Sequence, residues 1–266
     1  MPARLPERIV CLTEETTETL YLLGEERRIV GISGYTVRPP RARREKPRVS
    51  SFLSARQEKI LELKPDLVLG FSDLQADILR DLARAGLNVM VFNQRSVEEI
   101  LSMVQTLSAL VGVPEKGAAL VASLEKNLSA IKAKAGTLPR RPKVYFEEWD
   151  EPMISGIRWV SELIEIAGGE DVLSDLSRSQ GAAGRTHDGR RVIESRPDII
   201  LASWCGKKFR PEKVVARPGW SEIPAVRGGE LHEIKSVDIL QPGPAALTDG
   251  VSRIHDIVGA WAGQAR

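Results

Sequence analysis

One arrangement occurs twice in this chain and constrains the rest. Residues 60–70 read ILELKPDLVLG, and residues 192–202 read VIESRPDIILA. Each is the end of a helical pattern, a basic residue, Pro-Asp, and a run of branched apolar residues. Proline cannot continue the preceding helix, and it biases the residue before it away from helical geometry. A short apolar run that starts at such a stop reads as a buried strand. Helix, tight connection and buried strand make up half of the crossover unit of a parallel sheet. The two copies flank PEKGAALVASLEKNLSAIKAK, residues 114–134. Pro114 suits a first helical position. Val121, Leu124, Leu128 and Ile131 share one face of that helix, and Gly136 and Pro139 are stop signals. The pattern predicts an α/β chain with an N-terminal lobe at 1–112, a single long backbone helix at 113–137 and a C-terminal lobe at 138–266.

The remaining elements follow the same alternation. Strands are predicted at 8–12 (RIVCL), 28–32 (RIVGI), 49–52, 88–92, 143–147 (KVYFE) and 231–234. Helices are predicted at 18–23, 57–63, 77–85, 158–167, 190–195 and 248–262. Another helix opens on the capping box Ser96-Val97-Glu98-Glu99, whose hydroxyl and carboxylate reciprocally satisfy free backbone donors. Residues 13–17 read as a polar turn, 148–157 as a loop, and 177–189 as a mobile Gly/Ser-rich loop. The alternation implies two Rossmann-like lobes with parallel-rich sheets, and a ligand cleft between them lined by loops at the carboxyl ends of the strands.

Composition excludes several classes. Hydrophobic residues are 42% and charged residues 28% of the 266, ordinary values for a globular chain. The net charge of +2 leaves no overall polyanion-binding footprint. No apolar run approaches the roughly 20 residues of a membrane span. The opening MPARLPERIVCL lacks an apolar core of the roughly 7–15 residues that a signal peptide needs. The expectation is a cytoplasmic location for the chain as written, or an exported one if a leader has been removed. Cys11 and Cys205 are the only cysteines and have no disulfide or metal-type spacing.

The strand ends carry aromatic and small polar residues. Tyr35, Phe52, Phe71, Phe92, Trp149 and Trp204 fall there, with Phe71 and Trp204 read as matched positions of the two repeats. Flat apolar side chains with a few amides and hydroxyls suit a large, mostly apolar, partly planar ligand. The alternative is that they cap the sheet cores. No catalytic set emerges: there is no phosphate loop, no G-x-S-x-G elbow and no metal-type histidine spacing. His187 falls in the expected mobile loop, His232 in a strand and His255 on the closing helix. Glu147, Glu148, Asp150 and Glu151 read as a solvated acidic loop. The basic run at 38–48 has six cations and one glutamate. It carries no aromatic and no second basic cluster continues it, which argues against nucleic acid; it reads as a solvated loop, or as a holder of an anionic group on a ligand or partner.

RIVCLTEETTETLYLLG, VGISGYTVRPP, ILELKPDLVLG, LARAGLNVMVF and SVEEI resemble, in order, the first lobe of the cobalamin-binding substrate-binding proteins of ABC importers. These belong to the helical-backbone (class III) periplasmic binding proteins, which also carry iron–siderophores and haem. KVYFEEWDEPMISGIRWVSELIEIAGGEDVL and VIESRPDIILASW resemble the start and the second strand unit of the other lobe. The resemblance implies a bilobed, non-catalytic receptor with no intrinsic cofactor, clasping a cobalamin-type corrinoid. By position it implies contacts from Phe52 and Phe71, where the family more often shows tryptophan, and from Tyr35. In the second lobe it implies Trp149, Met153, Ile154, Trp159 and Trp204. It also implies permease docking through one acidic residue per lobe, Asp77 (usually glutamate in the family) and Glu212. The partners implied are a large chelate ligand and an ABC permease, with the receptor a monomer. Two other readings stay open: a siderophore or haem receptor on the same scaffold, and a cytoplasmic enzyme or sensor using the 147–151 acidic run with His187.

Overall fold

The computed structural model describes residues 5–264; the first four residues of the stretch read for a signal core lie outside them. Two compact units result, Met1–Gln94 with Glu98–Ser123, and Arg95–Val97 with Leu124–Arg266. The fold is two-lobed α/β with parallel-rich sheets.

The first unit runs β1 (Ile9–Cys11), α1 (Glu14–Leu22), β2 (Ile29–Ser33), α2 (Ala42–Glu45), β3 (Arg48–Ser50), α3 (Gln57–Glu62), β4 (Leu67–Phe71), α4 (Ala76–Arg84), β5 (Val89–Phe92) and α5 (Val97–Leu110). Its strands are all parallel, in the order β3-β2-β1-β4-β5. Val10, Leu12, Val49, Ile60, Val68, Leu79 and Leu82 pack into one core. Chain order reverses between β1 and β4. The crevice beyond their carboxyl ends is therefore where such a sheet accepts a ligand.

Next comes α6 (Pro114–Ala135), within which the division between the units falls. The face predicted from spacing is the buried one: Val121, Leu124, Leu128 and Ile131 are all sequestered.

The second unit continues with β6 (Lys143–Asp150), β7 (Met153–Ser155), α7 (Arg158–Ile166), β8 (Glu170–Asp171), β9 (Thr186–His187), α8 (Arg190–Ser195), β10 (Ile199–Ala202), α9 (Pro211–Val215), α10 (Pro224–Gly228), β11 (Leu231–Glu233), α11 (Ser236–Ile239) and α12 (Val251–Ala262). Its sheet order is β11-β10-β6-β7-β9, with β8 beside the start of β6. β11, β10, β6 and β8 are parallel, whereas β7 pairs antiparallel with both β6 and β9.

The repeated Pro-Asp motif has the same geometry in both units. Lys64 and Arg196, which precede the prolines, adopt left-handed φ angles of 45° and 50°. That conformation ends a helix abruptly. The aspartate then pins the neighbouring strand. Asp66 accepts from the backbone N–H of Glu7 and Arg8, both at 2.9 Å, ahead of β1. Asp198 accepts from the N–H of Lys143 at 2.9 Å, at the start of β6. The motif is thus a strand-alignment device at the edge opposite the candidate ligand loops. Counting from the two aspartates, Phe71 matches Ser203 and not Trp204, which lies one residue further on.

Several local expectations change. Residues 13–17 are not a separate turn, because α1 begins at Glu14. The basic run contains α2. Residues 148–157 form the end of β6 and a hairpin to β7, because Trp149 pairs Ile154 and Asp150 pairs Met153. Residues 177–189 contain β9 and short 3-10 turns, anchored where Met153 pairs His187. The closing helix starts with a wider π turn at Ala246–Gly250. Among the described residues no helix is long and apolar enough to cross a membrane.

Candidate functional site

In the first unit the strand ends are tied together by a residue that no motif or spacing singles out. Gln75 is fully buried. Its Nε2 donates to the carbonyls of Phe52 (3.0 Å) and Leu12 (3.4 Å), and its Oε1 accepts from the Phe71 N–H at 3.0 Å. One amide therefore fixes the chain beyond β1, β3 and β4. Gly70 permits this approach: a Cβ there would stand 3.1 Å from Gln75 Oε1 and 2.7 Å from Leu79. Ser72, with φ of 59°, donates its N–H to the Phe92 carbonyl at 2.8 Å, locking the registered pair Phe71 and Phe92.

Around these fixed backbones the side chains divide. Phe71 and Phe92 are buried, Phe52 is half-buried, and Tyr35 is 56% exposed. Leu53 and Leu74, in the loops after β3 and β4, are 68% and 58% exposed. The carboxyl edge of this sheet thus presents apolar side chains to solvent, an arrangement that normally marks an interaction site.

The same edge holds two buried carboxyl groups at the start of α1. Burial pushes Glu14 up to about 7 and Glu15 up to about 8. Glu15 Oε1 accepts from the Thr13 hydroxyl at 2.5 Å, while its Oε2 is buried without a partner. At neutral pH Glu15 is therefore mostly protonated, and Glu14 is close to its titration midpoint, so both can present an O–H donor. Their polar sequence context disguised them as a turn.

The second unit builds its strand ends around charge. Glu147 is completely buried near the end of β6. It accepts from Arg217 Nη1 and Nη2 (2.6 and 3.0 Å), Trp204 Nε1 (3.0 Å) and the Tyr145 hydroxyl (3.0 Å). The Tyr145 oxygen also lies 3.0 Å from His187 Nε2, and His187 Nδ1 accepts from the Gly189 N–H at 3.2 Å. This pattern assigns the imidazole proton to Nε2, since the other nitrogen is already an acceptor. Burial lowers the His187 pKa below its ordinary value and raises that of Tyr145 well above its own.

The acidic run is therefore not a solvated loop. Glu148 pairs with the buried Arg185 at 2.5 Å. Asp150 binds Lys207, and Lys213 at 3.4 Å. Burial opposes its ionisation, but the two ammonium groups outweigh this and hold its carboxyl below the ordinary range. Their positions, remote in sequence, hid these partners. His187 likewise sits in a strand and not in a solvated loop.

The aromatic candidates of this unit differ in access. Trp149 is half-buried, with Lys207 Nζ 3.9 Å from its ring centroid and its Nε1 donating to the Glu151 carbonyl. Met153 and Ile154 are half-buried on β7. Trp204 is 3% exposed, edge-on to Phe209 at 5.1 Å. Trp159 is also 3% exposed, and its Nε1 donates to the Ile239 carbonyl at 2.8 Å. Those two are core residues in this structure. Asp77 and Glu212 are exposed in the first turns of α4 and α9 and pair locally with Arg80 (2.5 Å) and Arg210 (2.8 Å). Among the described residues no group of three His, Cys, Asp or Glu side chains could hold a metal ion.

Apolar strand ends over paired α/β sheets invite comparison with known proteins, and residues 9–237 match the periplasmic binding protein family. The chain belongs to that family. Among curated members it is 26% identical to an uncharacterised ABC transporter substrate-binding lipoprotein of Bacillus subtilis, covering 95% of this chain and 80% of that protein. It is 25% identical to a vitamin B12-binding protein of Vibrio parahaemolyticus, covering 91% and 86%. Among solved structures it resembles the apo form of a periplasmic haem-binding protein from Roseiflexus sp. RS-1. There the TM-score is 0.79 and the identity 24%, over 95% of this chain and 99% of that one.

Proposed function

We propose that this family member is a non-catalytic solute-binding protein for ABC-type uptake and that its solute is a large corrinoid of the cobalamin type. The carrying observation is the exposed apolar rim of Tyr35, Leu53 and Leu74 above Phe52 and the buried pair Phe71 and Phe92. A solute of that size has wide apolar faces for such a rim, and the buried carboxyl groups of Glu14 and Glu15 offer polar contacts beside it. Trp149, Met153 and Ile154 supply the contacts of the second unit. Trp159 and Trp204 act there by supporting the surface from within. The similarity to a vitamin B12-binding protein supports the choice of solute. The receptor works as a monomer, with Asp77 and Glu212 meeting basic residues of a permease.

Calorimetric titration of the whole protein with cyanocobalamin tests this. Micromolar or tighter binding is expected. No binding at tens of micromolar, about −6 kcal/mol, overturns it. Haem is the second reading, favoured by the exposed Tyr35 phenol at the same rim, because a tyrosine oxygen can ligate haem iron. Thermal-shift measurements against cobalamin, haem and ferric siderophores separate the readings, since only a bound solute raises the melting temperature.

A further inference from the structure

A second feature of the first unit adjoins the proposed solute rim, since Gly34, Ser51 and Ser54 in its lining neighbour Tyr35, Phe52 and Leu53 in the chain. A groove of about 860 Å³ lies along edge strand β3, between α2 and α3. Arg43, Lys46, Arg48, Arg56 and Lys59 line it, against Glu62 as the one acid among its lining residues. Val49, Ala55 and Leu63 give it apolar walls.

Two cations of this region have close carboxylate partners. Arg38 and Arg41 lie outside the groove and are neutralised by Glu18 and Glu26, each at 2.8 Å. The five groove cations have no carboxylate ion-pair partner among the described residues. Burial pushes the Lys46 ammonium below the ordinary lysine value and outweighs the pull of Glu45 and Glu26. A partly buried cation in that state lacks a close counter-charge. Hydroxyl groups add donors: the Ser50 Oγ is buried without a partner, and Ser51 and Ser54 share a 2.6 Å contact.

Five cations around one concavity fit a compact multiple anion better than a single carboxylate. Arginine forks match phosphate oxygens two at a time, and lysines add point charge. No aromatic side chain lines the groove. Single-stranded nucleic acid would lack the stacking platform it needs there. We infer that the β3 groove binds clustered phosphate groups, carried either on one soluble molecule or side by side on lipid headgroups.

The test uses the full chain at low salt. Sodium tripolyphosphate is titrated calorimetrically, and co-sedimentation is measured with phosphatidylglycerol and with phosphatidylcholine vesicles. The groove variant is Arg48→Glu with Lys59→Glu. The control is Lys132→Glu with Lys134→Glu, an equal charge change on exposed residues of α6. Tripolyphosphate binding on the order of 10 µM, weakened about tenfold in the groove variant and less than about twofold in the control, identifies a soluble source. Retention on phosphatidylglycerol vesicles alone, lost in the groove variant, identifies a headgroup source. Binding of neither probe overturns the inference, as does equal weakening in both variants, which would mark diffuse attraction. Should the charge-reversed variant unfold, Arg48→Gln with Lys59→Gln is read in the same way.

Discussion

Leu12 and Glu147 occupy equivalent places. Each lies four residues beyond the residue whose backbone N–H the Pro-Asp aspartate holds, Arg8 in one unit and Lys143 in the other. Both side chains are fully buried. Around Leu12 the strand ends are joined by neutral groups, with the Gln75 amide bridging backbone to backbone. Around Glu147 they are joined by a buried ion pair whose remaining lone pairs are taken by Tyr145 and Trp204. The same scaffold step therefore yields an adaptable apolar rim in one unit and a stiff polar one in the other. A buried pair of this kind is weak evidence for stability but strong evidence for a fixed geometry, because loss of either partner strands a charge. It holds Trp204 from behind and so fixes the surface beside Trp149.

The largest test of the contrast is pH. In the first unit Glu15 is raised from 4.5 to about 8 and Glu14 to about 7. The folded state then binds protons that the unfolded state releases, so stability is full below pH 4.5 and falls as pH rises towards 8. For Glu15 alone the loss is about 5 kcal/mol, at about 1.4 kcal/mol per pH unit. In the second unit the lowered pKa of His187 has the opposite sign, and stability falls as pH drops below 6.5. Chemical denaturation across pH 5 to 9 should show both limbs. Glu15→Gln should flatten only the alkaline limb and His187→Gln only the acid limb. If both variants change the same limb, the sign assigned to one of these two groups is wrong.

Arg217→Ala comes next. It leaves Glu147 buried without its counter-charge, which costs about 3–5 kcal/mol. Gln75→Ala removes a neutral bridge of three hydrogen bonds and should cost about 2–3 kcal/mol. Urea denaturation ranks the two, and an equal or reversed order would remove the distinction between a charged and a neutral joint. Solute titration adds a second readout. Gln75→Ala frees the Phe52 and Phe71 backbones and should weaken cobalamin binding about tenfold, because the rim must then be ordered on binding.

The alternation of elements, the long helix with its buried face and the carboxyl-edge location of the aromatics were all legible in the chain. Each rests on local periodicity or on a Pro, Gly or capping signal. The misread parts depend on partners distant in sequence. Glu147 to Glu151 looks like a solvated run until Arg185, Lys207, Lys213 and Arg217 are brought beside it. The β6–β7 hairpin was obscured because Trp149, Asp150 and Pro152 are ordinary loop residues, and its pairing is set by β9 on the far side. Trp204 reads as a contact from its place beyond a strand end, and Trp159 only through the family resemblance. Their indole N–H groups, each satisfied by an internal acceptor, show them facing inward.

The smallest effect concerns the feature the two units share. Asp66 and Asp198 perform the same task with different reach. Asp66 accepts two backbone donors, from Glu7 and Arg8, whereas Asp198 accepts one, from Lys143. Both sites are near the surface, so each bond contributes about as much as an ordinary neutral hydrogen bond, about 1 kcal/mol. Asp66→Ala should cost about 2 kcal/mol and Asp198→Ala about 1 kcal/mol. Asparagine at either position keeps an acceptor oxygen and should recover part of the loss. Because the pinned strands β1 and β6 are central in their sheets, a slip there would displace the carboxyl edge as well. Hydrogen exchange at Ile9–Cys11 and Val144–Phe146 reads that slip directly. Faster exchange at both ends of β1 in Asp66→Ala, with β6 unchanged, would show that the motif sets strand register within its own unit. Uniform acceleration through both units would show that it contributes only to global stability.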